Sequence, residues 1–280
     1  MTKMAIIGAG LSGLSTAHFL KDHAEITLFE KACDVGGRIS TRRAEPYFFD
    51  HGAQYFTART KAFQDFIQPL INQGIIERWS ARYVKFDSDQ IIERKNWIDE
   101  EPRYVGVPGM NKIAKYLAEG LNVHINTRIV SLKRGNAWQL TDESGQLYSD
   151  FDWVISTAPS PQAVAVLPKK FKYYDDIKDV EMRACFSLML GFSKNIPLEF
   201  EAAHVIHSDI SWIAVNSHKP GRTDRFTLMV HSSEEYSEAH IDDDRETVMQ
   251  HLMNETSNVI GHDVSIADYK TVHGWRYANN

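Results

Sequence analysis

Residues 4–43, MAIIGAGLSGLSTAHFLKDHAEITLFEKACDVGGRISTRR, limit the possible folds of this chain more than any other stretch. Residues 4–7 predict a buried parallel strand, too short and too apolar for an alternating surface strand. Gly8, Gly10 and Gly13 follow at dinucleotide-fingerprint spacing. In that pattern Gly8 allows a tight turn, Gly10 brings no Cβ near a pyrophosphate, and Gly13 lets a helix press on the sheet. The helix expected from about Leu11, with Ser12 in its first turn, aims free N–H groups and a positive dipole end at phosphate. Ile26, Leu28 and Phe29 predict the second strand. Glu30 ends it, about 20 residues along, where an acid accepts from ribose hydroxyls. A carboxylate there would repel a 2′-phosphate, which favours FAD or NAD over NADP as the tightly held nucleotide. An apolar start after Lys3 also suits a secretory signal. The fingerprint glycines, the polar residues cutting the run and the lack of a small-x-small cleavage site weigh against that.

Composition narrows the class. The 280 residues are 43% hydrophobic, enough for one large domain or two smaller ones. A net charge of −6 offers no electrostatic case for nucleic acid or an anionic membrane. The two cysteines, Cys33 and Cys185, exclude a disulfide framework and suit a reducing cytoplasm. No uncharged run approaches the roughly 20 apolar residues of a membrane helix. The histidines have no ligand spacing, so no metal site is expected.

Along the rest of the chain, residues 61–72 predict an amphipathic helix, followed by strand-like runs at 75–79, 82–86 and 90–93. Pro108-Gly109 leads into a helix over 110–119. Residues 122–148 read as a β-meander with strands near 123–125, 128–134, 137–141 and 146–148, and residues 152–156 as a second short buried strand. From Glu181 onward the pattern is mostly strands, near 185–192, 204–207, 212–215 and 226–231. A helix over 242–258 has Asp242-Asp243-Asp244 as its first turn, where negative charge offsets the dipole. A last strand covers 266–273. No linker is visible, so a second domain must be inserted within the first.

Glu30 followed by Gly36-Gly37-Arg38 resembles the flavoprotein superfamily of amine oxidases, protoporphyrinogen oxidases and phytoene desaturases. Adjacent glycines permit close backbone approach, and a guanidinium fork suits a diphosphate. Within the superfamily the chain resembles bacterial renalase-like proteins, through GAQYFTAR (52–59), RYVGVPGMNKIAKYLA (103–118), NTRIVSL (126–132), VISTAPSPQ (154–162) and HGWRYA (273–278). The resemblance implies an α/β fold with a Rossmann-like FAD-binding domain, expected over 1–60, 104–160 and 273–280. It is interleaved with a smaller α+β substrate or cap domain over 61–103 and 161–272. The cofactor is expected to be FAD, held by Gly8, Gly10, Leu11, Ser12, Gly13, Glu30, Lys31, Gly36, Gly37, Arg38, Gly52, Ala53, Val130 and Ala158. Gln54, Tyr55, Phe56, Thr57, Ala58, Cys185 and Trp275 are the substrate-side candidates.

The activity implied is oxidation of the 2- and 6-dihydro isomers of NAD(P)H to NAD(P)+, by hydride transfer to flavin with oxygen as acceptor. Such chemistry needs an oriented ring more than an acid–base pair, so no catalytic side chain is assigned. A flavin amine oxidase, or another FAD dehydrogenase acting on a small substrate, is the second reading. A third is a weak nucleotide-binding remnant, because relatives continue past the W-x-Y-A motif with a segment that covers the flavin end. At Ala184-Cys185-Phe186 the family more often has Pro-Thr-Trp. His51 is expected to be a partly exposed loop histidine, and Cys185 a core residue rather than a nucleophile.

Overall fold

In the computed structural model, which describes residues 1–99 and 101–279, the fingerprint stretch folds as a β-α-β unit. Its parts are β1 (Thr2–Ile7), α1 (Leu11–Leu20) and β2 (Ala24–Phe29), with β1 and β2 parallel from Thr2↔Ala24 to Ile7↔Phe29. The strand Trp153–Ser156 pairs parallel on the other side of β1, and Asn122–His124 pairs parallel on the outer side of β2. Ala5, Ile6 and Leu28 are fully buried, as the continuous apolar runs require of a sheet covered on both faces. A separate antiparallel sheet follows the order Ile129–Arg134, Trp138–Asp142, Leu147–Phe151. The expected four-strand meander is therefore three strands. The segment at 122–124 is an edge of the parallel sheet, because three residues carry too little pattern to specify their partner.

Contacts divide the chain into two compact units, Met1–Ile39 with Ala114–Met182, and Ser40–Ile113 with Arg183–Asn279. The first is the β-α-β unit with its three-stranded sheet, and shares a core of Ala5, Ile7, Phe29, Ile129, Leu132, Leu140 and Phe151.

The second unit, the larger, is organised by a seven-stranded sheet. Its order is Tyr269–Asn279, Arg183–Phe192, Phe226–Ser232, Ile210–Val215, Ala202–Ile206, Arg82–Asp87, Gln90–Asn96. All neighbours are antiparallel except Ala202–Ile206 with Arg82–Asp87. Phe186, Leu188, Val230, Ile213, Ala203 and Val205 alternate onto one face, and form a core with Val248, Leu252 and Met253 of the helix Arg245–Ile260. The last strand runs to Asn279 rather than stopping near 273, so the HGWRYA motif is hydrogen-bonded along Arg183–Phe192 and belongs to this unit. The aspartates at 242–244 are not a helical first turn. Asp244 is the N-cap accepting from Thr247 N at 2.9 Å, Asp243 accepts from His240, and Asp242 pairs with Arg276. Helices at Ser160–Val166, Tyr174–Lys178 and Glu234–His240 lie where no helical period was legible.

Candidate functional site

In the first unit, the N-terminal glycines and the Gly36-Gly37 loop meet directly. Gly10 and Gly36 form a bridge, and Gly36 N donates to Ala9 O at 2.9 Å. The glycines serve different purposes. A Cβ on Gly13 would lie 2.0 Å from Gly8 O, so this position is set by helix–strand packing. Gly10 has φ −75° and ψ −179°, open to any residue, and a Cβ there would meet nothing nearer than Gly37 Cα at 3.9 Å. The protein's own packing does not require glycine at position 10, and the space that a side chain would fill lies at the N-terminus of α1. That helix has no side-chain cap and no acid in its first turn, which leaves its N-terminal N–H groups for an anion.

Glu30 is 7% exposed and braces this cradle. Its Oε2 accepts from Ala9 N at 2.8 Å and its Oε1 from Ala32 N at 2.9 Å, and each oxygen keeps a further acceptor site. Thr157, just before Ala158, donates its hydroxyl to Ile7 O at 3.0 Å beside Gly8. Leu11, Ser12, Lys31, Gly37 and Arg38 are solvent-exposed around the cradle, with Lys31 Nζ 3.1 Å from Gln162 Oε1. Val130, 45% exposed, is the extra residue of a β-bulge between Ile129 and Ser131, which takes it out of the ladder.

In the second unit, the loop at 50–55 lies on the sheet face opposite the apolar core. Register places His204, Trp212, His231, Ser187 and His273 in one row across five strands, and pairs Cys185 with Trp275 on the same face. His51 O accepts from Ser187 Oγ at 2.7 Å and from Trp275 Nε1 at 2.8 Å. The His51 ring stacks on Trp275, 5.1 Å between centroids, and Tyr55 packs against Trp97 and Trp212 at 5.4 and 5.7 Å. Gly52 and Ala53 are half-buried in the same loop. Phe56 points elsewhere, onto Phe63 and Tyr104, while Thr57 pairs with Arg103 and Ala58 is buried under Gln64.

His51 is buried, not partly exposed as expected, because the ring is sandwiched by the last strand. Burial, the neighbouring His273 and Arg42 hold it at about 4, against a smaller opposing pull from Asp50. Burial and Lys219 hold His231 at about 4 as well. Burial pushes the Cys185 thiol up to about 11, so it is no nucleophile at neutral pH.

The sequence of residues 89–279 matches the family described as flavin containing amine oxidoreductase. The chain belongs to this family. Residues 6–70 match the NAD(P)-binding Rossmann-like domain. Renalase of Mus musculus is 28% identical over 178 residues, 58% of this chain and 48% of that protein, so the match spans about half of the relative's length. A crystal structure from Exiguobacterium sp. 255-15, provisionally assigned as a protoporphyrinogen oxidase, shares the fold with TM-score 0.77 at 13% identity. It is matched over 98% of this chain and 86% of that one. A putrescine oxidase triple mutant superposes with TM-score 0.75 at 13% identity, over 97% and 84% of the two chains. The family's cofactor is FAD, and the open space at Gly10, the uncapped helix end and the Glu30 carboxylate fit its AMP and diphosphate half.

This family member also holds a buried ionic cluster that the sequence did not reveal. Asp50, with its side chain 1% exposed, faces Arg222 at 2% and Lys219 at 0%. Its Oδ1 accepts from Thr41 Oγ1 at 2.8 Å and from Met110 N at 2.9 Å. Burial raises the Asp50 carboxyl, but the two cations and the hydrogen bonds outweigh it and hold it below the ordinary carboxylate range. Gln54 is tied into this cluster rather than held open, with Nε2 donating to the carbonyls of Asp50 and Gly52 at 2.6 and 2.9 Å. The only local hint was Pro220-Gly221, a turn signal between Lys219 and Arg222.

The two buried histidines set an acid limit. Each has a folded value near 4 against an ordinary 6.5, so its stabilisation is present above pH 6.5 and is lost as pH falls through 4. The shift corresponds to on the order of 3 kcal/mol per histidine. Thermal melts between pH 7 and 4 are expected to fall steeply, and His231→Gln to flatten the fall. A melting temperature constant down to pH 4 would contradict the buried placement.

Proposed function

We propose that this chain is an FAD-dependent oxidoreductase that oxidises 2- and 6-dihydro isomers of NAD(P)H, giving NAD(P)+. The observation that carries this reading is the chemistry of the sheet face in the second unit. It offers flat rings at Tyr55, Trp212 and Trp275, imidazoles at His51 and His231 that stay neutral above pH 6.5, and a thiol at Cys185 that keeps its proton. Such a surface can orient a planar ring and exclude water, and it supplies neither a charged acid–base pair nor a nucleophile. That is the demand of hydride chemistry, for which FAD, when bound, would supply the two-electron acceptor, with oxygen as the final oxidant giving hydrogen peroxide. The likeness to mouse renalase, 28% identical over 178 residues, supports the oxidoreductase part of this reading.

The first unit would hold the AMP and diphosphate half through the N–H groups of Leu11, Ser12 and Gly13, the Glu30 carboxylate, the Gly36-Gly37-Arg38 loop and the backbone near Val130 and Ala158. In the second unit, Gly52 and Ala53 would approach the isoalloxazine while Tyr55 and Trp275 face the substrate. Gln54 would brace the loop, since both ends of its amide are engaged within the chain.

The test is anaerobic mixing of FAD-loaded protein with 2- or 6-dihydronicotinamide dinucleotide. Rapid bleaching of the flavin is expected. Bleaching by simple amines alone would assign the chain to amine oxidation instead, and protein that takes up no FAD would overturn both.

A further inference from the structure

Lys219 is a fully buried lysine with no place in the chemistry above. Its Nζ lies 3.0 Å from Gln54 Oε1, 3.5 Å from Asp50 Oδ2 and 5.3 Å from the centre of the Trp79 ring. Arg222 already pairs with Asp50, so the cluster holds two cations for one carboxylate. An apolar side chain would fill such a position at lower cost, since a buried ion pair is often neutral or worse for stability. The geometry shows what the ammonium does instead.

An ammonium only donates hydrogen bonds, so it can hold Gln54 by its oxygen and not by its nitrogen. With the oxygen held, both Nε2 hydrogens must face the carbonyls of Asp50 and Gly52. The loop is thereby closed on itself in one orientation, under Tyr55 and beside the His51–Trp275 stack. A neutral amine still donates to that oxygen, but the bond is no longer charge-assisted and loses about half its strength, so the hold on the amide and its loop weakens. We propose that Lys219 is a positioning residue, which as an ammonium fixes the Gln54 amide and the 50–54 loop, and which loosens its hold on both when it loses its proton. The effect on FAD rests on the flavoprotein reading, in which this loop approaches the isoalloxazine.

The groups facing Lys219 leave it as the titrating member at mildly alkaline pH. Asp50 stays ionised, His231 is neutral in this range, Arg222 contributes its guanidinium to the pair with Asp50, and Gln54 and Trp79 carry no charge. Burial pushes Lys219 down to about 8, with Asp50 opposing and Arg222 adding to the fall.

The experiment follows tryptophan fluorescence and FAD affinity of the full chain from pH 6.5 to 10, in wild type, Lys219→Met and Lys219→Arg. Wild type is expected to show a fluorescence transition near pH 8, with FAD binding weakening about tenfold above it, the coupling that one pKa unit supplies. Lys219→Arg should bind FAD without that pH dependence, and Lys219→Met should bind it weakly throughout. A Lys219→Met protein that only melts earlier, with both profiles unchanged, marks a structural ion pair and overturns the proposal. Where Lys219→Met fails to fold, Gln54→Leu decides. It should keep the fluorescence transition and lose the pH dependence of FAD affinity, and keeping both overturns the proposal. Wild type that binds no FAD at any pH removes the flavoprotein reading, while the fluorescence arm still tests Lys219.

Discussion

Asp50→Ala is expected to cost this protein about 3–5 kcal/mol, a large part of the 5–15 kcal/mol that usually separates folded from unfolded domains. The substitution leaves the ammonium of Lys219 and the guanidinium of Arg222 buried with no anion between them. It also removes the acceptor of Thr41 Oγ1 and of Met110 N. Asp50→Asn should fall less far, because an amide oxygen still accepts from those two donors while the charge is lost. Circular-dichroism melts of both variants beside wild type provide the check. An alanine variant melting within about 2 °C of wild type would mean that the cluster contributes little, since 1 kcal/mol moves the midpoint by about 2–4 °C in a chain of this size.

Gly13→Ala and Gly10→Ala are expected to differ sharply, though each adds one methyl group to the same fingerprint. At Gly13 the new carbon would sit 2.0 Å from Gly8 O, a backbone atom that cannot swing aside, and 2.9 Å from Thr157 Oγ1. The helix must lift from the sheet, and a destabilisation of about 3 kcal/mol or more follows from the overpacking. At Gly10 the nearest atom is 3.9 Å away, so the melting temperature should stay within about 2 °C of wild type. The methyl group instead fills the space at the uncapped helix end, and FAD affinity is expected to fall about 100-fold, or about 2.7 kcal/mol. Melts combined with flavin titration separate the two. Equal losses of stability would show that Gly10 is also a packing glycine and that the space beside it is not a ligand cradle.

The β-α-β unit was legible because it is encoded locally. Strand, tight turn, helix and second strand occupy consecutive residues, and β1, α1 and β2 appear where the apolar runs and Gly8, Gly10 and Gly13 place them. The helix Lys61–Asn72 was equally plain, with Thr60 as its N-cap and one apolar face. The segments misplaced from sequence are those whose meaning depends on a distant partner. Asn122–His124 is an edge strand only because β2 stands beside it, and Asp242 and Asp243 turn to Arg276 and His240 rather than into a helical turn. His51 looked like a loop histidine because its loop is polar, yet residues more than 200 positions later cover it.

The same distinction runs through the site. Spacing alone pointed to an adenine dinucleotide, because the chemistry of Gly10, Gly13 and Glu30 acts within one turn and one strand end. Resemblance over scattered motifs then pointed to a flavoprotein, and the family match bears this out. Folding was needed to bring His51, Gln54 and Tyr55 onto the face that carries Ser187, Trp212, His231 and Trp275, and to bury Lys219 against a glutamine 165 residues earlier in the chain. Local period and turn chemistry select the elements. Which polar groups lose water, and what each then finds as a partner, depends on contacts between strands far apart in sequence, so those identities emerge only in the folded protein.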